Sequence, residues 1–69
     1  MKQVQIGTEY ITLGQMLKLS DIIDSGGQAK AFLAEATILV NGEPDNRRGR
    51  KLYRGDRVRV QGHGEFEIV

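Results

Sequence analysis

A helix, a strand and a tight turn can be assigned from one continuous segment, residues 25–42, which reads SGGQAKAFLAEATILVNG. Ser25 followed three residues later by Gln28 is a capping-box pattern, and it predicts that a helix begins there. Apolar residues then recur at the spacing i, i+3, i+4 and i+7, which is one face of a helix. These residues are Ala29, Phe32, Leu33 and Ala36. Residues 38–40 are apolar and include β-branched Ile38 and Val40, which predicts a strand, and Asn41-Gly42 predicts a turn directly after it.

A short strand and a first helix are predicted before this segment. Val4 and Ile6 alternate with polar residues, as in a half-exposed strand. Thr12 and Gln15 form a second capping-box pattern, so we expect a helix that buries one apolar face. That face consists of Leu13, Met16 and Leu17. Residues 19–24 are expected to connect the two helices.

Antiparallel strands are predicted after it. Residues 43–51 are expected to form a polar loop, and Arg54-Gly55-Asp56 a turn. Alternation predicts a hairpin of residues 57–61 and 65–69, joined by Gly62-His63-Gly64. Its inward residues are Val58, Val60, Phe66 and Ile68. Residues 1–69 therefore predict a single α+β domain in which a short N-terminal strand and two helices pack on a small antiparallel sheet ending in a hairpin.

The basic residues are strongly clustered. Seven of the ten lie between positions 47 and 59. They are Arg47, Arg48, Arg50, Lys51, Arg54, Arg57 and Arg59. Residues 1–45 carry net charge −3, residues 46–59 carry +6 and residues 60–69 carry −2, so the total of +1 conceals a local basic field. Because salt screens charges over about 10 Å, the local field decides which partners bind, and it favours a polyanion such as nucleic acid.

The residue types argue against catalysis. There is no cysteine, and the one histidine, His63, lies in a predicted exposed turn. Nucleophilic and zinc-dependent sites need such groups in combination, so we expect no enzyme activity, cofactor or metal.

No apolar run approaches the roughly 20 residues that span a bilayer, and the N-terminus lacks the apolar region of a signal peptide. We expect a cytoplasmic monomer.

Two segments could bind phosphate. The helix start offers backbone N–H groups from Ser25, Gly26, Gly27 and Gln28, and helix N-termini favour anions. Lys30 lies one turn further on. An ordinary capped helix is the alternative interpretation.

Arg47, Arg48, Arg50 and Lys51 form the other segment, in which guanidinium groups suit the irregular backbone of folded RNA. A solvated charged loop is the alternative there. Arg57 and Arg59 could contact RNA or pair with Glu65 and Glu67 across the hairpin. Tyr53, beside Arg54, could stack on a base or pack on the second helix.

The order of four runs is typical of a known module: residues 25–30, residues 39–42, residues 43–53 and residues 55–58. The chain resembles the RNA-binding domain named after small-subunit ribosomal protein S-four, also called the αL motif. Within that family it resembles the small stand-alone bacterial members of YaaA type. Two positions depart from many relatives: Gly26 stands where they have arginine, and Ala36 where they have glycine.

The resemblance implies a non-catalytic module that binds structured RNA, with ribosomal RNA or a ribosomal particle as the favoured partner. It implies that the start of the second helix and the basic loop form one RNA-binding face. Together with the charge pattern, it predicts these RNA-binding residues: Ser25, Gly26, Gly27, Gln28, Lys30, Asn41, Arg47, Arg48, Arg50, Lys51 and Arg54. An adaptor that docks on an acidic protein is the alternative, and double-stranded DNA also stays open as a ligand.

Overall fold

The computed structural model describes residues 1–69 except for the surroundings of Gly26. Its elements are β1 (Lys2–Val4), β2 (Ile11–Thr12), α1 (Leu13–Leu19), α2 (Gly26–Glu35), β3 (Ile38–Val40), β4 (Glu43–Pro44), β5 (Lys51–Leu52), β6 (Arg57–Val60) and β7 (Gly64–Ile68). The predicted α+β class is confirmed. Neither helix in the described part of the chain is long and apolar enough to cross a membrane.

Five strands form one sheet in the order β1-β7-β6-β3-β4, and β2 and β5 form a separate two-stranded ribbon. The predicted hairpin of β6 and β7 is confirmed, with Val58 opposite Phe66. The sequence assigned no partner to the N-terminal strand; in the structure β1 runs parallel to β7, with Lys2 opposite Phe66. Alternation identifies a strand and its buried face, but it carries no information about a partner more than sixty residues away.

The core lies between the five-stranded sheet and the helices. Leu13, Met16 and Leu17 of α1 are fully buried, as predicted from the first capping box. On α2 the predicted apolar face is only partly covered: Ala29 and Leu33 are buried, whereas Phe32 and Ala36 are half-buried at the edge of the core. Each fully buried leucine contributes about 1.5–3 kcal/mol to folding, so α1 is the better anchored helix.

The two helix starts differ. At α1 the capping box is confirmed: the Gln15 backbone N–H donates to Thr12 Oγ1 (3.3 Å), and the Thr12 N–H donates to Gln15 Oε1 (2.9 Å). At α2 the capping box was wrong. Ser25 is the N-cap residue but its side chain makes no capping bond, and Gln28 Oε1 accepts from the Asp24 N–H (2.6 Å) instead. In a capping box the side chain of Gln28 would accept from the N–H of Ser25. The connector instead presents the N–H of Asp24, one residue earlier, and Gln28 accepts from that donor.

The turn after β3 shortens the predicted polar loop. Asn41 and Gly42 both have positive φ, 52° and 86°, which is the geometry of a two-residue hairpin turn. It folds β4 back on β3, with Leu39 opposite Pro44. Residues 43–44 are therefore strand rather than loop, and Pro44 is tolerated because β4 is at the sheet edge. At the end of α2, Ala36 is extended (φ −80°), so alanine is unstrained there.

Candidate nucleic-acid interface

The basic segment, defined as residues 46–51, is fixed to the start of α1. The Leu13 N–H donates to the Arg50 carbonyl (2.8 Å), and the Gly14 N–H donates to the Arg48 carbonyl (3.0 Å). First-turn N–H groups have no partner within a helix, so the carbonyls of the basic segment satisfy them. Lys51 then pairs with Thr12 in the β2–β5 ribbon. The segment is thus held by its backbone, and all of its side chains except the half-buried Arg50 are exposed.

Asp45 organises two of the arginines. Its side chain is only 9% exposed, and its carboxylate accepts from the Arg47 N–H (3.0 Å), from Arg47 Nε (3.1 Å) and Nη2 (2.8 Å), and from Arg50 Nη1 (2.8 Å). The hydrogen bond from the Arg47 side chain is the main reason that the pKa of Asp45 lies well below its usual value, while burial acts in the opposite direction. Two cations around one anion leave a net positive charge, and the shared carboxylate offsets the repulsion between the two guanidinium groups.

Asp45 is not among the residues predicted to form the site. The available signal was an aspartate two residues before an arginine, a spacing at which the carboxylate accepts from the backbone N–H two positions on. That signal predicts a local turn. It does not reveal that Arg50, five residues on, shares the same carboxylate.

Arg48 and Lys51 are the most available cations of the basic segment. Both are exposed, and among residues 1–25 and 27–69 neither has a carboxylate within ion-pairing distance. The stem of Arg48 crosses α1 at Gly14, where an added Cβ would lie 2.7 Å from Arg48 Cγ. Glycine therefore permits this close approach. The ammonium of Lys51 lies 4.8 Å from the centre of the Tyr10 ring.

The remaining arginines are placed differently. Arg54 Nη2 donates to the Ile6 carbonyl (2.8 Å), which ties the turn before β6 to the N-terminal segment. Arg59 forms the predicted pair with Glu65, at 3.9 Å. Arg57 faces Glu67 in the strand register, but within the described part of the chain the two side chains form no ion pair. RNA contacts from Arg54, Arg57 and Arg59 stay predictions.

Asn41 joins two turns. Its Oδ1 accepts from the Arg57 N–H (2.9 Å), and its Nδ2 donates to Asp56 Oδ1 (3.1 Å). The other oxygen of Asp56 accepts from the Tyr53 N–H (2.8 Å). These bonds give a structural role to Asn41 in the run 39–42 and to Asp56 and Arg57 in the run 55–58. A contact between Asn41 and RNA stays a prediction.

The start of α2 presents polar residues to solvent. Ser25, Gly27, Gln28 and Lys30 are exposed, whereas Gly26 lies outside the described residues. Among the described residues no hydrogen bond or ion pair links this helix start to the basic segment. Their joint action on one ligand stays a prediction.

Comparison with known proteins decides the family, because the S4 domain matches residues 4–69 of this chain. The chain belongs to the S4 domain family. It is 64% identical to the protein named "Probable ribosome maturation protein RlbA" of Bacillus subtilis (strain 168) over 66 residues, which cover 96% of this chain and 93% of the relative. It is 35% identical to "Putative RNA-binding protein YbcJ" of Escherichia coli (strain K12) over 54 residues, 78% of this chain and 77% of the relative.

Two tyrosines pack together in this S4 domain, and only one of them, Tyr53, was singled out from the sequence. Tyr53 packs on Tyr10, with ring centres 5.8 Å apart and planes at 48°, a contact that neither interpretation of Tyr53 included. Periodicity did not select Tyr10, because it lies between a turn and a two-residue strand. The pair adjoins Lys51, so aromatic surface and positive charge are contiguous.

Proposed function

We propose that this S4 domain is a non-catalytic RNA-binding module of the cytoplasm, which as a monomer binds structured ribosomal RNA or a ribosomal particle through the basic segment. The observation that carries the proposal is the anchoring of that segment. Its carbonyls are held by the start of α1, Asp45 holds Arg47 and Arg50, and Arg48 and Lys51 are exposed. The naming of one relative for ribosome maturation and of another for RNA binding supports the same partner class.

The physical basis is electrostatic and pre-organised. Lysine and arginine that neutralise phosphates release condensed counterions, which supplies affinity without sequence specificity. A loop already fixed by backbone hydrogen bonds loses little conformational entropy when it binds. If four phosphates are neutralised, the logarithm of affinity should fall with the logarithm of salt concentration at a slope of about −3 to −4.

Arg48 is the residue to change in a test, because Arg47 and Arg50 also hold Asp45 and their loss would alter stability together with affinity. We expect Arg48→Gln to weaken binding to ribosomal RNA and to make the salt slope shallower by about one unit, as measured by filter binding at several salt concentrations. Lys2→Gln is the matched control. It removes one charge from β1, which forms one edge of the five-stranded sheet. The basic segment follows β4, which forms the opposite edge.

Equal effects of the two substitutions would mean that only total charge matters, and would refute the proposal that the basic segment is the contact surface. Binding without salt dependence would refute the electrostatic mechanism. Association with ribosomal particles in a lysate should disappear after nuclease digestion. Persistence after digestion would favour an adaptor that docks on an acidic protein.

A further inference from the structure

At one end of the β2–β5 ribbon, Tyr10 and Tyr53 lie side by side on the outer surface. Ile11 pairs with Leu52, and both are buried, so the neighbouring residues along each strand face the other way. One position before Ile11 and one position after Leu52, the same antiparallel register places Tyr10 opposite Tyr53. Their side chains are in contact, yet the two residues remain 37% and 43% exposed. Two large aromatic residues thus pack on each other rather than in the core.

The surroundings of the pair combine apolar surface with positive charge. Lys51, the last residue of the basic segment, places its ammonium over Tyr10. Tyr10 also lines a groove of about 610 Å³ together with Glu9, Gln15, Lys18 and Leu19. Leu19 is 61% exposed, so it adds apolar surface to the groove beside Tyr10. The groove volume is within the range of sites that hold small organic groups.

We propose that Tyr10 and Tyr53 form a stacking platform for an unpaired nucleobase of RNA, with the base against Tyr10 and Leu19 and the flanking phosphates near Lys18 and Lys51. This inference rests on the proposed function and names the form of RNA that the surface takes. Aromatic side chains beside a cationic groove are the usual means of binding unstacked nucleotides, because every base has a face that stacks. Lys18 and Lys51 outweigh the single carboxylate of Glu9, so the surroundings of Tyr10 carry net positive charge and fit a nucleotide better than an apolar peptide.

The platform has a consequence for ligand choice. A base inside a regular duplex is covered by its neighbours, so it cannot stack on a protein side chain without being extruded. Sequence-specific recognition of RNA is directed mostly at loops, bulges and ends for this reason. The basic segment can contact paired and unpaired RNA alike, whereas the tyrosine platform adds affinity only for RNA with exposed bases.

The composition of the chain offers a direct probe. Tyr10 and Tyr53 are its only tyrosines, so protein grown with 3-fluorotyrosine gives two ¹⁹F NMR signals, both from the platform. Tyr10→Phe and Tyr53→Phe each remove one signal and assign the other while preserving an aromatic ring. We expect a short oligoadenylate to shift both signals, and a blunt RNA duplex of equal length to leave them nearly in place.

Affinity measurements complete the test. Tyr10→Leu should weaken oligoadenylate binding about fivefold or more, the effect typical of one lost base–aromatic stack. Tyr53→Leu removes the ring that supports Tyr10 and should weaken this binding to a smaller extent. Both variants should leave duplex binding unchanged. The Phe variants should bind both RNAs as the unmodified protein does. Arg48→Gln should weaken binding to both RNAs alike, because phosphates are common to them.

Two failures can be told apart. If oligoadenylate binds in an Arg48-dependent manner but the ¹⁹F signals do not move and the Leu variants bind normally, the platform is refuted and the proposed function stands. If neither RNA binds, or Arg48→Gln has no effect on either, both proposals are refuted. Should a Leu variant fail to fold by far-UV circular dichroism, the ¹⁹F shifts in the Phe variants decide the question.

Discussion

Replacing Asp45 with asparagine removes the charge around which Arg47 and Arg50 are arranged. The carboxylate accepts four hydrogen bonds, and an amide has only one oxygen with which to replace them. Its NH₂ group would instead face two cations. The substitution changes the shape of the side chain very little, so its effect reports on charge and hydrogen bonding.

The contacts give the size of the effect. The bond from Arg50 is half-buried and charge-assisted, and bonds of this kind contribute about 1.5–3 kcal/mol, of which we take the lower end. The bond from the Arg47 backbone N–H is kept, because the amide oxygen of asparagine accepts such a bond as well as a carboxylate oxygen does. The Arg47 guanidinium is exposed and we assign it no stabilisation. Asp45→Asn should therefore lower the free energy of unfolding by about 1.5–2 kcal/mol, equivalent to about 6–16 °C in a domain of this size.

The effect should depend on pH. Because the folded-state pKa of Asp45 is lowered, chiefly by the Arg47 hydrogen bond, its stabilisation is complete above the unfolded pKa of about 4 and decreases as pH falls below that value. The difference in unfolding free energy between the native protein and Asp45→Asn should thus be constant from pH 7 to pH 5 and shrink towards pH 2.

Urea unfolding followed by far-UV circular dichroism at pH 7, 5, 4, 3 and 2.5 measures this difference. Asp24→Asn is the matched control, because Asp24 is exposed and its side chain makes no hydrogen bond within the described residues. A difference below about 0.5 kcal/mol at pH 7, the usual size of a surface substitution, would refute the role of Asp45. A difference that does not change with pH would refute the charge argument.

Two further substitutions test the supports of the basic segment. Gly14→Ala should destabilise the protein by about 1–3 kcal/mol in urea unfolding and weaken RNA binding, because the new methyl group would displace the stem of Arg48; a stabilised variant with unchanged binding would contradict this close approach. Asn41→Ala should lose about 2 kcal/mol, since it removes the bonds to Asp56 and Arg57 and places alanine at positive φ. Asn41→Gly should lose less, because glycine tolerates that conformation, and equal losses would show that the backbone conformation is irrelevant.

Local patterns in the sequence determined most of the elements. The capping box of Thr12 and Gln15 and the turn at Asn41-Gly42 depend on residues within four positions of each other, and the structure confirms both. The alternation that buries Val58 and Phe66 is confirmed for the same reason. Where a competing donor lay just outside the motif, as at Ser25, the local prediction was wrong because the Asp24 N–H took the glutamine oxygen.

The site was predicted in composition but not in arrangement. Clustering of arginines in the sequence identified the basic segment, because charge density is a property of the chain itself. Whether each cation is free is a property of its neighbours in space, and the sequence did not show that Asp45 holds two of them or that Arg54 binds the Ile6 carbonyl.

Only the tertiary structure decided the long-range pairings. The parallel pairing of β1 with β7 joins residues 2 and 66, and the β2–β5 ribbon brings Tyr10 to Tyr53 across forty-three positions of chain. Hydrogen bonds between strands are the same for any sequence, so a strand does not specify its partner. The packing of the whole core does, by choosing the one register that buries Ile11 and Leu52 together.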